Sequence, residues 1–166
     1  MKKIIITGGS GFIGAHLIKH IHNNTDSTIL NIDKLTYAAN PDSLAHLKES
    51  NRYHFEQIDV TDREGTQSIF EAFKPNIVMH LAAESHVDNS IDSPDEFIKT
   101  NIIGTYNLLE TSRHYLMKFS KPGKNNFKFH HISTDEVFGD LPHPDLSEEI
   151  PMPTFKEETP YNPSSP

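Results

Sequence analysis

The stretch 1-MKKIIITGGSGFIG-14 decides the fold. Lys2 to Thr7 is short and β-branched, and glycines stop it cleanly, which predicts a buried first strand. An amphipathic helix follows, with Ile13, Leu17, Ile18 and Ile21 on one face. Between them lies Gly8-x-x-Gly11-x-x-Gly14. In such a loop the first glycine allows a tight turn and the second lets backbone approach a pyrophosphate. The third lets the helix pack closely on the strand, leaving helix N–H groups for phosphate oxygens. The pattern alone also fits an ordinary strand-to-helix turn. Its context favours a dinucleotide site: Asp33 lies nineteen residues after Gly14, ending a second strand, Thr28 to Asp33. An acid there can bind both ribose hydroxyls of an adenosine. A P-loop is excluded, because Ala15-His16 stands where Lys-Ser/Thr is required.

Outward from this unit, Pro41 opens a short helix to about Lys48, and Tyr53 to Val60 reads as a third strand. Arg63 to Phe73 is a helix, Asn76 to Ala82 a fourth strand, Asp95 to about Phe119 a long helix, and Phe127 to Ser133 a fifth strand. The long helix carries Ile98, Ile102, Tyr106 and Leu109 at helical spacing. Strands alternating with helices imply right-handed crossovers and a parallel sheet covered on both faces, a doubly wound α/β (Rossmann) domain over residues 1–138. From Gly139 to Pro166 the texture changes, with seven of the eleven prolines and no helical or strand period. This segment reads as a long active-site loop.

The 166 residues are 35% hydrophobic, within the globular range, and suit one domain. A formal charge of -8 argues against a nucleic-acid or anionic-membrane partner. An anionic ligand must then be held by local devices such as helix N-termini. No cysteine is present, which removes disulfides, thiolate metal sites and cysteine nucleophiles, and fits a reducing compartment. Apolar runs are a handful of residues long, and the first breaks at glycines too early for a signal peptide or a membrane span. The expectation is a cytoplasmic protein. His16 and His20 stand four apart on the first helix, but Leu17 occupies the place of a zinc protease's glutamate, so no metal site is assigned. His130 and His131 alternate across a strand and read as packing and surface residues. Asp135-Glu136, taken alone, reads as a solvated turn or a helix start.

Gly8 to Gly14 in this spacing, with Leu81-Ala82-Ala83 ending the fourth strand, resembles the extended short-chain dehydrogenase/reductase family. DKLTYAAN (33–40), LAAESHVDNSI (81–91), TNIIGTYNLLE (100–110), STDEVFG (133–139) and TPYNPSSP (159–166) narrow the likeness. Together they resemble the nucleoside-diphosphate-glucose 4,6-dehydratases, most closely those acting on dTDP-glucose. The resemblance implies an NAD site formed by Phe12, Ile13, Asp33, Lys34, Leu35, Thr36, Asp59, Val60, Leu81, Ala82, Ala83, Glu84, Ser85 and Thr100. It places Ser85 and Thr134 on the sugar of a nucleotide-sugar substrate, makes Asp135 the dehydratase acid and Glu136 the base, and implies a homodimer joined through helices. Phe138 stands where the family usually has tyrosine, and Ala39 where glycine is common.

The implied chemistry explains two adjacent carboxyl groups. Oxidation at C4 of the sugar places C5–H next to a ketone; elimination then needs a base at C5 and an acid at O6. Close carboxyls push their own pKa values apart, which suits one donor and one acceptor. A sugar-nucleotide epimerase of the same superfamily, or a non-catalytic dinucleotide-binding module, would share the glycine loop but not need the pair. The superfamily's oxidation step uses a tyrosine followed four residues later by lysine. None of the five tyrosines here has it: Pro41, Gln57, Glu110, Phe119 and Ser165 occupy those places. On the resemblance that tyrosine follows PSSP at once. Later strands and a substrate domain are also expected to be absent, so the 166 residues alone are expected not to turn over substrate.

Overall fold

In the computed structural model, which describes residues 1–86, 91, 94–118, 126–143 and 153–164, the apolar run after Met1 is β1, Lys3–Thr7. Its neighbours are β2 (Thr28–Asp33), β3 (Tyr53–Gln57), β4 (Ile77–His80) and β5 (Lys128–His131), all parallel, in the order β3-β2-β1-β4-β5. The chain divides into two compact units, Met1–Ile132 and Ser133–Pro166.

In the first unit both faces of the sheet are covered. Ile4, Ile6 and Ile29 pack with Ala15, Ile18 and Ile21 of α1 (Phe12–Asn24) and with Leu44 and Leu47 of a 3-10 helix, Pro41–Leu47. On the other face Ile5, Leu30, Ile32 and Val78 pack with Phe70 of α2 (Arg63–Phe73) and with Leu108 and Tyr115 of α3 (Thr105–Met117). The middle of a central parallel strand is buried on both faces and therefore apolar, which is why Ile4, Ile5 and Ile6 read as a continuous run. Each fully buried Ile, Leu or Phe contributes on the order of 2 kcal/mol. Asp62 caps α2, its Oδ1 accepting from the Gly65 N–H at 2.9 Å.

Several expected boundaries move. β4 ends at His80 because β1, its partner, ends at Thr7, where Gly8 with φ 71° turns the chain out of the sheet. β3 ends at Gln57 and β5 spans only Lys128–His131. On α1 the inward face is Gly14, Ala15, Ile18 and Ile21, whereas Ile13 is 66% exposed. The expected single helix from Asp95 is three segments: a turn Pro94–Phe97, a π-helical stretch Ile98–Gly104, and α3; Phe119 lies outside the described residues. Its apolar stripe, Ile98, Ile102, Tyr106 and Leu109, faces outward. The buried face is instead small and polar: Gly104, Asn107, Thr111 and Ser112 beside Leu108 and Tyr115. Asn107 Nδ2 donates to the Val60 carbonyl at 2.6 Å, which satisfies the middle of the β3–α2 loop.

In the second unit, Asp135–Phe138 is one 3-10 turn. The Phe138 ring lies 5.3 Å from that of Phe155 and 5.6 Å from that of Tyr161, and Asn162 N–H donates to the Val137 carbonyl at 3.0 Å. The described part of the proline-rich segment is thus folded onto this turn. Residues 144–152 and 165–166 lie outside the described residues. No helix among the described residues is long and apolar enough to cross a membrane.

Candidate functional site

Strand order reverses between β1 and β4, and ligands of doubly wound sheets bind outside the carboxyl ends of such a pair. A cavity of about 330 Å³ opens there. Its floor is the glycine loop. A side chain on Gly8 would start 2.7 Å from the Ala82 nitrogen, and its positive φ excludes most residues. A Cβ on Gly14 would fall on the Gly8 carbonyl oxygen and 2.6 Å from Gly9 Cα, so this glycine lets α1 approach β1. The first helical bond of α1 runs from Ala15 N–H to Gly11 O at 2.9 Å. The N–H groups of Phe12, Ile13 and Gly14 therefore have no intrahelical acceptor and face an anion-sized opening.

Asp33 ends β2 with both oxygens held by main chain: Oδ2 accepts from Ser10 N–H at 2.9 Å and Oδ1 from Leu35 N–H at 2.8 Å. Leu35 has φ 60°, a left-handed conformation that turns the chain sharply after the acid. Lys34 Nζ donates to Thr100 Oγ1 at 3.1 Å and lies 3.3 Å from Glu84 and 3.8 Å from Asp59. Asp59 Oδ1 accepts from the Thr61 N–H and hydroxyl, both at 2.9 Å. Glu84 is clamped by an amide: its N–H donates to Asn101 Oδ1 and its carbonyl accepts from Asn101 Nδ2, both at 2.9 Å.

Of the cofactor group predicted from sequence, Gly8, Gly11, Phe12, Ile13, Gly14, Asp33, Lys34, Thr36, Val60, Leu81, Ala82, Ala83, Glu84, Ser85 and Thr100 line this cavity. Leu35 and Asp59 do not; one supports Asp33 and the other pairs with Lys34. The lining also includes Ile32, Ala38, Ala39, Ile58 and Ile132, none of which the sequence reading assigned to the site. Ile32 and Ile58 stand at strand ends, and that position was the available signal. Thr134, Asp135 and Glu136 belong to the second unit. Thr134 caps its turn, Oγ1 accepting from Glu136 N–H at 3.3 Å and donating to Asp135 Oδ1 at 3.4 Å; all three residues are exposed. The hydroxyl binds one carboxylate of the adjacent pair and the backbone that carries the other.

Three comparisons bear on this site. The chain is 58% identical over 165 residues to the dTDP-glucose 4,6-dehydratase of Salmonella typhimurium, covering 99% of this chain and 46% of that protein. It is 55% identical to dTDP-glucose 4,6-dehydratase 1 of Escherichia coli K12, with the same coverage. The chain thus spans about half the length of the curated relatives it matches. Among solved structures, dTDP-glucose 4,6-dehydratase of Bacillus anthracis in complex with NAD superposes with a TM-score of 0.80 at 28% identity, over all of this chain and 46% of that one. The UDP-Glc/GlcNAc 4-epimerase of Campylobacter jejuni gives 0.80 at 27%, over 99% of this chain and 44% of that one. A model of the GDP-mannose 4,6 dehydratase family matches residues 5–166, and the chain belongs to that family.

Proposed function

We propose that this chain is the cofactor-binding part of a dTDP-glucose 4,6-dehydratase, and that its cavity takes NAD. The observation that carries the reading is the meeting, at one switch point, of the Gly8–Gly14 loop, free helix N–H groups and a main-chain-fixed Asp33. These residues fit the cofactor. Gly11 leaves its side toward the cavity free of a Cβ, and Asp33 presents a carboxylate for ribose hydroxyls while repelling a 2'-phosphate. Bound there, NAD supplies hydride acceptance from C4 of the sugar and hydride return to C6.

The chain's own residues then do the acid–base work. Glu136 takes the C5 proton, Asp135 delivers a proton to the departing 6-hydroxyl, and Ser85 and Thr134 hold the sugar. The expected product is the 4-keto-6-deoxy sugar nucleotide. The exposed stripe Ile98, Ile102, Tyr106 and Leu109 supports a homodimer packed through this helix. Lack of cysteine supports a cytoplasmic site of action.

Calorimetric titration with NAD and NADP tests the cofactor half, with NAD binding at least tenfold tighter. Incubating the full-length protein with dTDP-glucose tests the reaction. An alkali-detectable 4-keto product is expected; formation of the C4 epimer without loss of water would replace this reading with the epimerase.

A further inference from the structure

We propose that His80 is a positioning residue for the cofactor cavity: its imidazole, strung between Thr105 and Thr7, holds the main chain of Leu81–Ala83 against the glycine loop. The inference rests on the cofactor reading above. His80 ends β4 and is 1% exposed. Its Nε2 lies 2.9 Å from Thr105 Oγ1 and its Nδ1 2.7 Å from Thr7 Oγ1. The same Thr7 oxygen accepts from the Ala82 N–H at 3.2 Å. A single hydrogen-bonded line therefore runs from α3 through β4 and β1 to Ala82. Ala82 in turn is the residue whose backbone a Cβ on Gly8 would meet first, at 2.7 Å. Ala82 and Gly8 line the cavity, while His80, Thr7 and Thr105 stand behind it.

A buried polar ring held only for packing needs its own nitrogens satisfied and nothing more. Here one partner is shared with the cavity wall and the other is presented by an irregular helix. The π-helical stretch Ile98–Gly104 carries Thr100 and runs directly into Thr105, the first residue of α3. Thr100 receives Lys34 in the cavity and Thr105 meets His80 behind it. The line works with a neutral ring, which has one donor and one acceptor nitrogen to match one hydroxyl on each side. Burial and the neighbouring His131, whose ring is 5.2 Å away, keep it neutral by lowering its pKa to about 4.

The test uses the full chain and three variants. Thr105→Val removes only the far hydroxyl, His80→Leu removes the ring, and His80→Asn keeps a polar group opposite Thr7. Amide hydrogen exchange at Ala82 is read against amides of β1 and β2, alongside the NAD dissociation constant. Thr105→Val and His80→Leu should each speed exchange at Ala82 at least tenfold more than in β1 and β2, and weaken NAD tenfold or more. His80→Asn should recover most of both effects. Should His80→Leu not fold, Thr105→Val carries the test alone. Uniform acceleration of all core amides, or Ala82 exchange unchanged in Thr105→Val, overturns the proposal. If the unmutated chain does not bind NAD, the cofactor reading fails by itself, and Ala82 exchange still decides this one.

Discussion

Alanine at Gly14 and at Gly11 should separate packing from ligand approach. At Gly14 a new Cβ meets backbone, the Gly8 carbonyl and Gly9 Cα at 2.6 Å, and neither can swing aside as a side chain would. Helix α1 must move off β1 by roughly an ångström. Overpacking of this kind costs about 1–3 kcal/mol, and the better helix propensity of alanine returns up to about 1. A net loss near 2 kcal/mol is expected. Against a total stability of about 5–15 kcal/mol the protein still folds, with a melting temperature roughly 4–8 °C lower. At Gly11 the nearest atom to a Cβ is Gly8 O at 3.4 Å and φ is -75°, so alanine is sterically accepted. The change there is a poorer helix cap, under about 1 kcal/mol. Cofactor affinity should show the reverse order, because Gly11→Ala places its methyl where the pyrophosphate approaches, weakening NAD at least tenfold. Scanning calorimetry and isothermal titration measure the two quantities. A Gly14→Ala protein as stable as Gly11→Ala would refute the packing argument.

Acid should destabilise the protein through His80. Its folded pKa of about 4 lies below the usual 6.5, so the unfolded chain binds more protons between these values and stability falls as pH drops through that window. The loss is about 3 kcal/mol from pH 7 to pH 4; urea midpoints of the wild type and His80→Asn should diverge accordingly, and parallel curves would reject the assignment. In the full-length protein Glu136→Gln should retain C4 oxidation but lose C5 proton exchange with solvent deuterium by about 10² to 10⁴, while Asp135→Asn slows water loss. Ile102→Asp, on the outward face of the π-helical stretch, should shift sedimentation toward monomer; an unchanged distribution would place any dimer contact elsewhere.

The central strands and the glycine loop were legible because their requirements are steric and local. Ile4, Ile5 and Ile6 of β1 are buried on both faces of the sheet and so must be apolar, and Gly8 and Gly14 sit where a Cβ meets backbone. The helix after Pro94 was less legible. Hydrophobic period finds a stripe, not the side that is buried, and here the stripe of Ile98, Ile102, Tyr106 and Leu109 is exposed. The buried face is polar, with Thr100 bonded to Lys34 and Asn107 to the Val60 carbonyl, loop groups that only the tertiary fold brings near. His80 gave no signal for the same reason: Thr7 and Thr105 are 73 and 25 residues away, respectively. The pairing of His80 with His131 comes from parallel register, which an alternation rule applied to one strand does not reveal. Asp135-Glu136 folds locally as its composition suggests, an exposed capped turn.

The Asn101 clamp on Glu84 has a thermodynamic consequence. Its side-chain amide offers one acceptor and one donor in the spacing of a peptide group, so Glu84 is paired as if a neighbouring strand one residue long lay beside it. The cavity wall thereby gains the order of a sheet at a point where no sheet continues. Freezing a backbone residue costs about 1–2 kcal/mol of conformational entropy, and at Glu84 that cost is met on folding rather than on association. A ligand entering the cavity finds this stretch preorganised, and its interactions with the wall go into affinity instead of into ordering the protein.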